Sequence, residues 1–303
     1  MERDLLAHFP VVLTVARRGG FASAAAALNM SPSAVSHAVK AVENRLGQPL
    51  FVRTTRSVAL TEAGMSFVAS IGPALATVEE SVERIRAAKG HVAGLLRLNA
   101  PRVALPLAVT PTIAAMSRLY PDLTIEVTSD EGLVDIVAAG FDAGVRLGEM
   151  IAQDMVAVRL TRPFQAIMVA APDYLEARGT PNSIADLAAN NCIGYRLISS
   201  DAVYAWDLQD RGREVSVSVS GSVRVTDSLY ARDLALRGVG IAYVFEPLVR
   251  EDLQAGRLRR VLPAASIEEP GLFLYFPRYA SETPKLRAFI DTARKTLRVK
   301  RSD

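Results

Sequence analysis

Residues 31–46 constrain the fold more than any other stretch of this chain. Ser31-Pro32 reads as the N-cap and first residue of a helix. Val35, Val39, Val42 and Leu46 then recur at helical steps and predict one inward stripe. Ser33, Ser36, His37 and Lys40 fall on the other side, crowded into the first two turns. Small side chains let such a face approach a groove closely. Hydroxyls and an imidazole reach base edges there, and an ammonium meets phosphate. Taken alone, such a face is more often an ordinary solvated surface.

The residues on either side narrow the choice. Phe9, Val12, Leu13 and Ala16 predict a helix with Pro10 in its first turn, ended by Gly19-Gly20. Ser23 reads as the N-cap of a second, short helix over Ala24 to Leu28, whose alanines favour helix and close packing. Asn29-Met30 then makes a tight turn into the third helix, and Gly47 ends it. From Pro49 to Leu60 the pattern gives two short strands, with Leu50, Val52, Val58 and Leu60 as apolar anchors. Arg53 and Arg56 project from their basic tip, a common phosphate or minor-groove contact. The expected module is a winged helix-turn-helix over residues 1–60. Its seven basic against three acidic side chains concentrate the chain's modest net charge of +3 at this end, as a nucleic-acid partner requires.

Beyond Thr61, the apolar positions Val68, Ile71, Leu75, Val78, Val82 and Ile85 form a heptad seam. Glu79, Glu80, Glu83, Arg84 and Arg86 lie off it. A protruding helix with such a stripe needs a partner, so residues 61–89 are read as a linker and dimerisation helix, bent but unbroken at Gly72-Pro73. The competing arrangement packs the stripe on the chain's own winged module.

A hinge around residues 87–94 leads into residues 90–303, where strand-like and helix-like runs alternate as in parallel βαβ units. Leu95–Asn99, Leu123–Val127, Ala143–Arg146, Gln165–Val169 and Ile241–Phe245 are strand-like, and Glu214–Val219 alternates strictly. Leu105–Tyr120, Leu133–Ala139, Asp227–Arg237 and Pro284–Leu297 are helix-like. Two lobes are expected, the first about 90–161 with 267–303 and the second about 162–266, joined by crossover strands near 160 and 265 with a ligand cleft between them. The fold class is α+β and multi-domain.

Several of these runs together carry a resemblance. Gly20-Phe21-Ala22-Ser23-Ala24-Ala25-Ala26, Ser31-Pro32-Ser33-Ala34-Val35-Ser36-His37, Leu46-Gly47, Leu50-Phe51, Arg53 and Leu60-Thr61-Glu62-Ala63-Gly64 resemble the LysR-type transcriptional regulators. Looser matches are Gly140 to Glu149, Val169 to Leu175 and Gly238 to Ala242. The resemblance implies that the third helix reads the major groove with Ser31, Ser33, Ser36, His37 and Lys40, with Ser23 beside them and Arg53 and Arg56 on the wing. His37 stands where the family often has arginine. It implies a periplasmic-binding-protein-like effector domain, with a cleft lined by Pro101, Arg102, Val103, Ser129 and Arg146 on one side and Thr226, Asp227 and Phe245 on the other. Arg102 and Arg146 are then candidates for holding an anionic effector. The alternative pairs Arg146 with Asp142 or Glu149 and turns Arg102 to solvent. The implied partners are double-stranded promoter DNA, a second copy in a homodimer or homotetramer, a small-molecule effector and, as a further candidate, RNA polymerase.

Enzyme chemistry finds no support. His8, His37 and His91 lack metal-ligand spacing, and Cys192, the single cysteine, has no histidine near it in sequence. Gly238-Val239-Gly240 precedes a strand-like run and so is not a dinucleotide fingerprint. No cofactor, metal site or catalytic set is expected. The first 30 residues do not read as a signal peptide and no apolar run suits a bilayer, which places the chain in the cytoplasm without a membrane partner. A cytoplasmic small-molecule-binding protein of solute-binding fold is the second reading, and it leaves the basic N-terminal module without a purpose.

Overall fold

The computed structural model describes residues 3–53, 58–87, 92–132, 134–148, 151, 155–198 and 200–298. The chain divides into two compact units: residues 1–91, 135–142 and 279–284 in one, and 92–134, 143–278 and 285–303 in the other.

The first unit opens with a short helix α1 (Arg3–Leu6), followed by α2 (Phe9–Arg18) with proline in its first turn. The next helix, α3 (Phe21–Leu28), starts earlier than expected. Extended Gly20 caps it, so Ser23 lies inside the first turn and its hydroxyl donates to the carbonyls of Gly20 and Arg18. Asn29 adopts a left-handed conformation (φ 52°) and turns the chain into α4 (Pro32–Leu46). Ser31 caps that helix by accepting from the Ala34 amide at 3.1 Å, and left-handed Gly47 (φ 69°) ends it. Val35, Val39 and Val42 are buried as the spacing predicts. Leu46 is not: the last turn of α4 is exposed.

The wing consists of β1 (Phe51–Arg53) and β2 (Val58–Leu60), paired antiparallel with Phe51 opposite Leu60. Leu50 and Phe51 enter the core together, whereas Val52 is 51% exposed. The expected anchor is therefore wrong by one residue. Glu43 explains the phase, because its carboxylate accepts the amides of both Leu50 (2.8 Å) and Phe51 (3.3 Å) and fixes the backbone where it enters the strand. The core unites Phe9, Val12, Val15, Ala24, Ala25, Val35, Ala38, Val39, Val42, Leu50 and Phe51.

From there α5 (Glu62–Ala87) runs unbroken through Gly72-Pro73. Thr61 holds its start, accepting from the Gly64 amide and donating to the Pro49 carbonyl. A Cβ on Gly64 would sit 2.1 Å from the Leu50 carbonyl oxygen, so only glycine lets the helix approach the wing this closely.

In the second unit, β3 (Gly94–Ala100) leads through a π-turn at Leu105–Val109 into α6 (Thr110–Leu119) and β4 (Leu123–Ser129). The chain then forms β5 (Ala143–Leu147) and β6 (Met155–Arg159). The helix expected over Leu133–Ala139 is absent among the described residues there, which form turns at 136–140.

A crossing at 160–163 reaches the second lobe. It contains β7 (Phe164–Ala170), α7 (Pro172–Arg178), β8 (Cys192–Tyr195), the hairpin of β9 (Trp206–Asp210) and β10 (Arg213–Val217), and β11 (Arg224–Val225). After these come α8 (Ser228–Leu236), β12 (Ile241–Phe245), α9 (Glu246–Gln254), β13 (Arg259–Val261) and β14 (Ile267–Glu269). The return strand β15 (Leu272–Pro277) rejoins the first lobe, and α10 (Pro284–Leu297) closes the chain. Because β14 pairs with β7, the return falls after Glu269 and not at 267 as expected.

Both sheets are mixed, not purely parallel. In the first, ordered β4-β3-β5-β15-β6, β3 runs parallel to β4 and β5 while β15 is antiparallel to β5 and β6. In the second, ordered β11-β8-β12-β7-β13, the first three strands are parallel and β7 is antiparallel to β12, β13 and β14. The antiparallel partners are the strands next to the two crossings, which a local βαβ pattern does not reveal. Strand β7 is covered on both faces. Met168 and Ala170 join Trp206, Leu208 and Tyr174 on one side, and Ile167 and Val169 join Ala231, Ala235 and Val249 on the other.

Candidate nucleic-acid interface and ligand cleft

The geometry of α4 follows from its capping. Ser31 and Pro32 fix where the helix begins, and burial of Val35, Ala38, Val39 and Val42 fixes which side faces in. Ser31, Pro32, Ser33, His37 and Lys40 are left exposed on the outward side, with Ser36 half-buried among them. The Ser31 and Ser33 hydroxyls lie 2.9 Å apart at the helix start. Buried Ala24 and Ala25 let α3 pack close beneath, and Phe21 meets Phe51 edge-on at 5.9 Å, tying α3 to the wing. Five of the sequence-predicted contacts thus share one helix end. Ser23 is exposed but engaged with its own turn, as above. Arg53 ends β1 beside Val58, its side chain outside the described set, and Arg56 lies outside the described residues.

On α5 the seam divides. Ile71 and Leu75, with Ala63 and Phe67, pack in part on the winged core, and Phe67 meets Phe9 edge-on at 5.1 Å. These two residues therefore belong partly to the arrangement that competed with dimerisation in the sequence reading. Val68 is half-buried, Val78 is 60% exposed and Met65 is 56% exposed. The side chains of Val82 and Ile85 fall outside the described set.

In the second unit, the lobes meet through side chains from the expected cleft residues. Arg102 Nε lies 3.0 Å from Asp227 Oδ2, and the Arg102 amide donates to Glu131 Oε1 at 2.7 Å. Glu131 Oε2 accepts from the Tyr195 hydroxyl at 3.4 Å. Burial raises the Glu131 carboxyl above its ordinary range, and nearby Asp227 adds to the shift. Asp227 has a second task, because its Oδ1 caps α8 by accepting from the Leu229 amide at 2.8 Å.

Arg146 departs from the expected role as an anion receptor: at 2% exposure it is closed to an incoming effector. Of its alternative partners, Glu149 lies outside the described residues. Its guanidinium donates to Asn99 Oδ1 (2.7 Å), to the Gly132 carbonyl (2.6 Å) and to its neighbour Val145 (2.7 Å). Arg146 Nε and Asn99 Nδ2 have no partner, and burial lowers the arginine pKa. Pro101 and Val103 are buried, Ser129 is exposed at the end of β4, and Phe245 is half-buried with its ring 5.0 Å from that of Phe164.

Thr226 and Asp227 line a cavity of about 620 Å³ together with Arg196, Asp201, Val203, Arg224, Val225 and Tyr230. It opens beyond the carboxyl ends of β8 and β11, where open α/β sheets bind ligands. Sequence reasoning missed Arg196, Arg224 and Tyr230, since single polar residues at strand ends leave no periodic trace. Among the described residues no cluster of metal-ligating side chains occurs, and no helix is long and apolar enough to cross a membrane.

Comparison with known proteins agrees with this division. Residues 6–65 match the family described as bacterial regulatory helix-turn-helix protein, lysR family, and residues 89–298 match the LysR substrate binding domain. A putative transcriptional regulator of Pseudomonas aeruginosa is 37% identical over 94% of this chain and 93% of its own length. The Escherichia coli K12 HTH-type transcriptional regulator YcaN is 35% identical, covering 94% of this chain and 93% of that protein. The solved structure of CrgA, a LysR-type transcriptional regulator from Neisseria meningitidis, superimposes with a TM-score of 0.62 at 26% identity, over 96% of this chain and 98% of the other. The helix-turn-helix match removes the reading as a solute-binding protein alone. The chain belongs to the LysR family and is a DNA-binding transcriptional regulator with an effector-binding domain, not an enzyme.

Proposed function

We propose that this regulator works in the cytoplasm, reads an imperfect inverted repeat in promoter DNA as a homodimer or homotetramer, and is set by a small molecule held between the lobes of residues 90–303. The outward face of α4 carries this reading. Ser33, His37 and Lys40 are exposed on the side opposite buried Val35, Val39 and Val42, at the helix end that a major groove admits. Lys40 supplies a phosphate contact, while Ser33, Ser36 and His37 reach base edges. Two copies paired along α5 through Val68, Val78 and the neighbouring seam would hold two such ends at a fixed spacing. An effector that prefers one arrangement of the lobes shifts the population of dimer geometries, and with it the grip on DNA and any contact to RNA polymerase.

A gel-shift assay on the DNA flanking the protein's own gene, at fixed salt, tests the reading. The wild type should retain that DNA against excess nonspecific competitor. Ser36→Ala, His37→Ala and Lys40→Ala combined should lower specific affinity at least roughly tenfold, since each lost base contact costs about 1–3 kcal/mol. Undiminished retention by the triple variant would remove α4 as the reading element.

A further inference from the structure

We infer that the anion-recognising part of the effector site lies on the second lobe alone, where Arg224 holds the carboxylate of a small organic monoanion. This deepens the regulatory reading above and rests on it. The first-lobe arginines are committed elsewhere, Arg146 to buried acceptors and Arg102 to Asp227. Arg196 lies in the cavity wall and is paired with Asp201. Arg224 has no ion pair among the described residues. It stands opposite Gly194 in the β11–β8 register, and a Cβ on Gly194 would come 3.4 Å from Arg224 Cγ. That is ordinary contact, so the arginine stem runs alongside the β8 backbone at the edge of the cavity.

Charge sets the class of ligand. Each carboxylate of the cavity wall has an arginine of its own, Asp201 with Arg196 and Asp227 with Arg102 of the other lobe, which leaves Arg224 as the lining cation without an ion pair among the described residues. One negative charge restores the balance, whereas a phosphate dianion exceeds it. The remaining wall suits an organic body, with Val203, Val225 and the Tyr230 ring beside the Thr226 hydroxyl. A cavity of about 620 Å³ falls within the usual range for small-molecule sites. Asp227 gives the ligand its leverage, because it lines the cavity and also grips Arg102 of the other lobe. An anion arriving beside Asp227 competes for the same positive field and so acts on the contact between the lobes.

The test is calorimetric titration of the full-length protein with benzoate, butyrate and pyruvate, alongside benzamide and inorganic phosphate. At least one carboxylate should bind saturably while the amide and phosphate do not. Arg224→Ala should weaken that binding about ten- to a hundredfold, the usual loss for a charge-assisted hydrogen bond. Arg224→Lys, which keeps the charge but not the fork, should weaken it less. Binding of none of the three carboxylates, or equal binding by Arg224→Ala, overturns the inference. A wild type that holds its operator yet ignores all three carboxylates overturns this site and spares the regulator. Carboxylate binding abolished by Arg224→Ala, in a protein that retains no DNA, supports the site and overturns the regulatory reading.

Discussion

Aspartate in place of Val39 is expected to abolish operator binding while leaving the melting transition of the effector domain in place. Val39 is fully buried at the centre of the winged core, against Val12, Val15, Ala24 and Val42. The residues united there are apolar, so the new carboxylate must either stay ionised in apolar surroundings or take up a proton. Either outcome costs several kcal/mol, a large part of the stability of a module this small. Val39→Ala serves as the graded control, at about 2 kcal/mol for the lost burial. Far-UV circular dichroism with a gel shift reads both results. A Val39→Asp protein that still held its operator would mean that α4 does not need its inward stripe to keep its place.

The complementary substitution is Trp206→Ala, expected to destabilise the effector domain by about 3–5 kcal/mol, the usual cost of removing a fully buried tryptophan. Trp206 has no exposed surface and stacks on Tyr243 with ring centroids 5.5 Å apart. The Tyr243 hydroxyl donates to the Asp207 carbonyl, so the ring also anchors the β9–β10 hairpin to the central sheet. Losing the indole opens a cavity between hairpin and sheet. Separate transitions in differential scanning calorimetry should show the loss on the effector-domain component alone. A loss on the DNA-binding component as well would contradict the placing of Trp206 in the effector-domain core alone.

The two halves were unequally legible in the sequence because they are built differently. In the winged module each helix announces its own ends. Pro10, Ser31-Pro32 and Gly47 act within one turn of where they stand, and the valine spacing of α4 needs only that helix to be read. The last helix, Pro284–Leu297, was legible for the same reason. What failed depended on remote partners. The wing turns Phe51 inward because Glu43, eight residues earlier, holds its amide. Ser23 was misplaced because extended Gly20 caps the helix instead. The mixed sheets arise where strands next to the crossings pair antiparallel with distant neighbours. Arg146 looks like an anion receptor in sequence and becomes buried structure only when Asn99 and Gly132 are brought beside it. On α5, the heptad spacing is silent about which neighbour Ile71 and Leu75 meet, and that neighbour is in part the chain's own winged core.

Selection of duplexes from a random pool probes the exposed end of α4 most directly. The wild-type protein should enrich an inverted repeat, and His37→Ala should lose preference at the same position in both half-sites while keeping the spacing. A pool without consensus, or a His37→Ala consensus identical to the wild type's, would contradict the account.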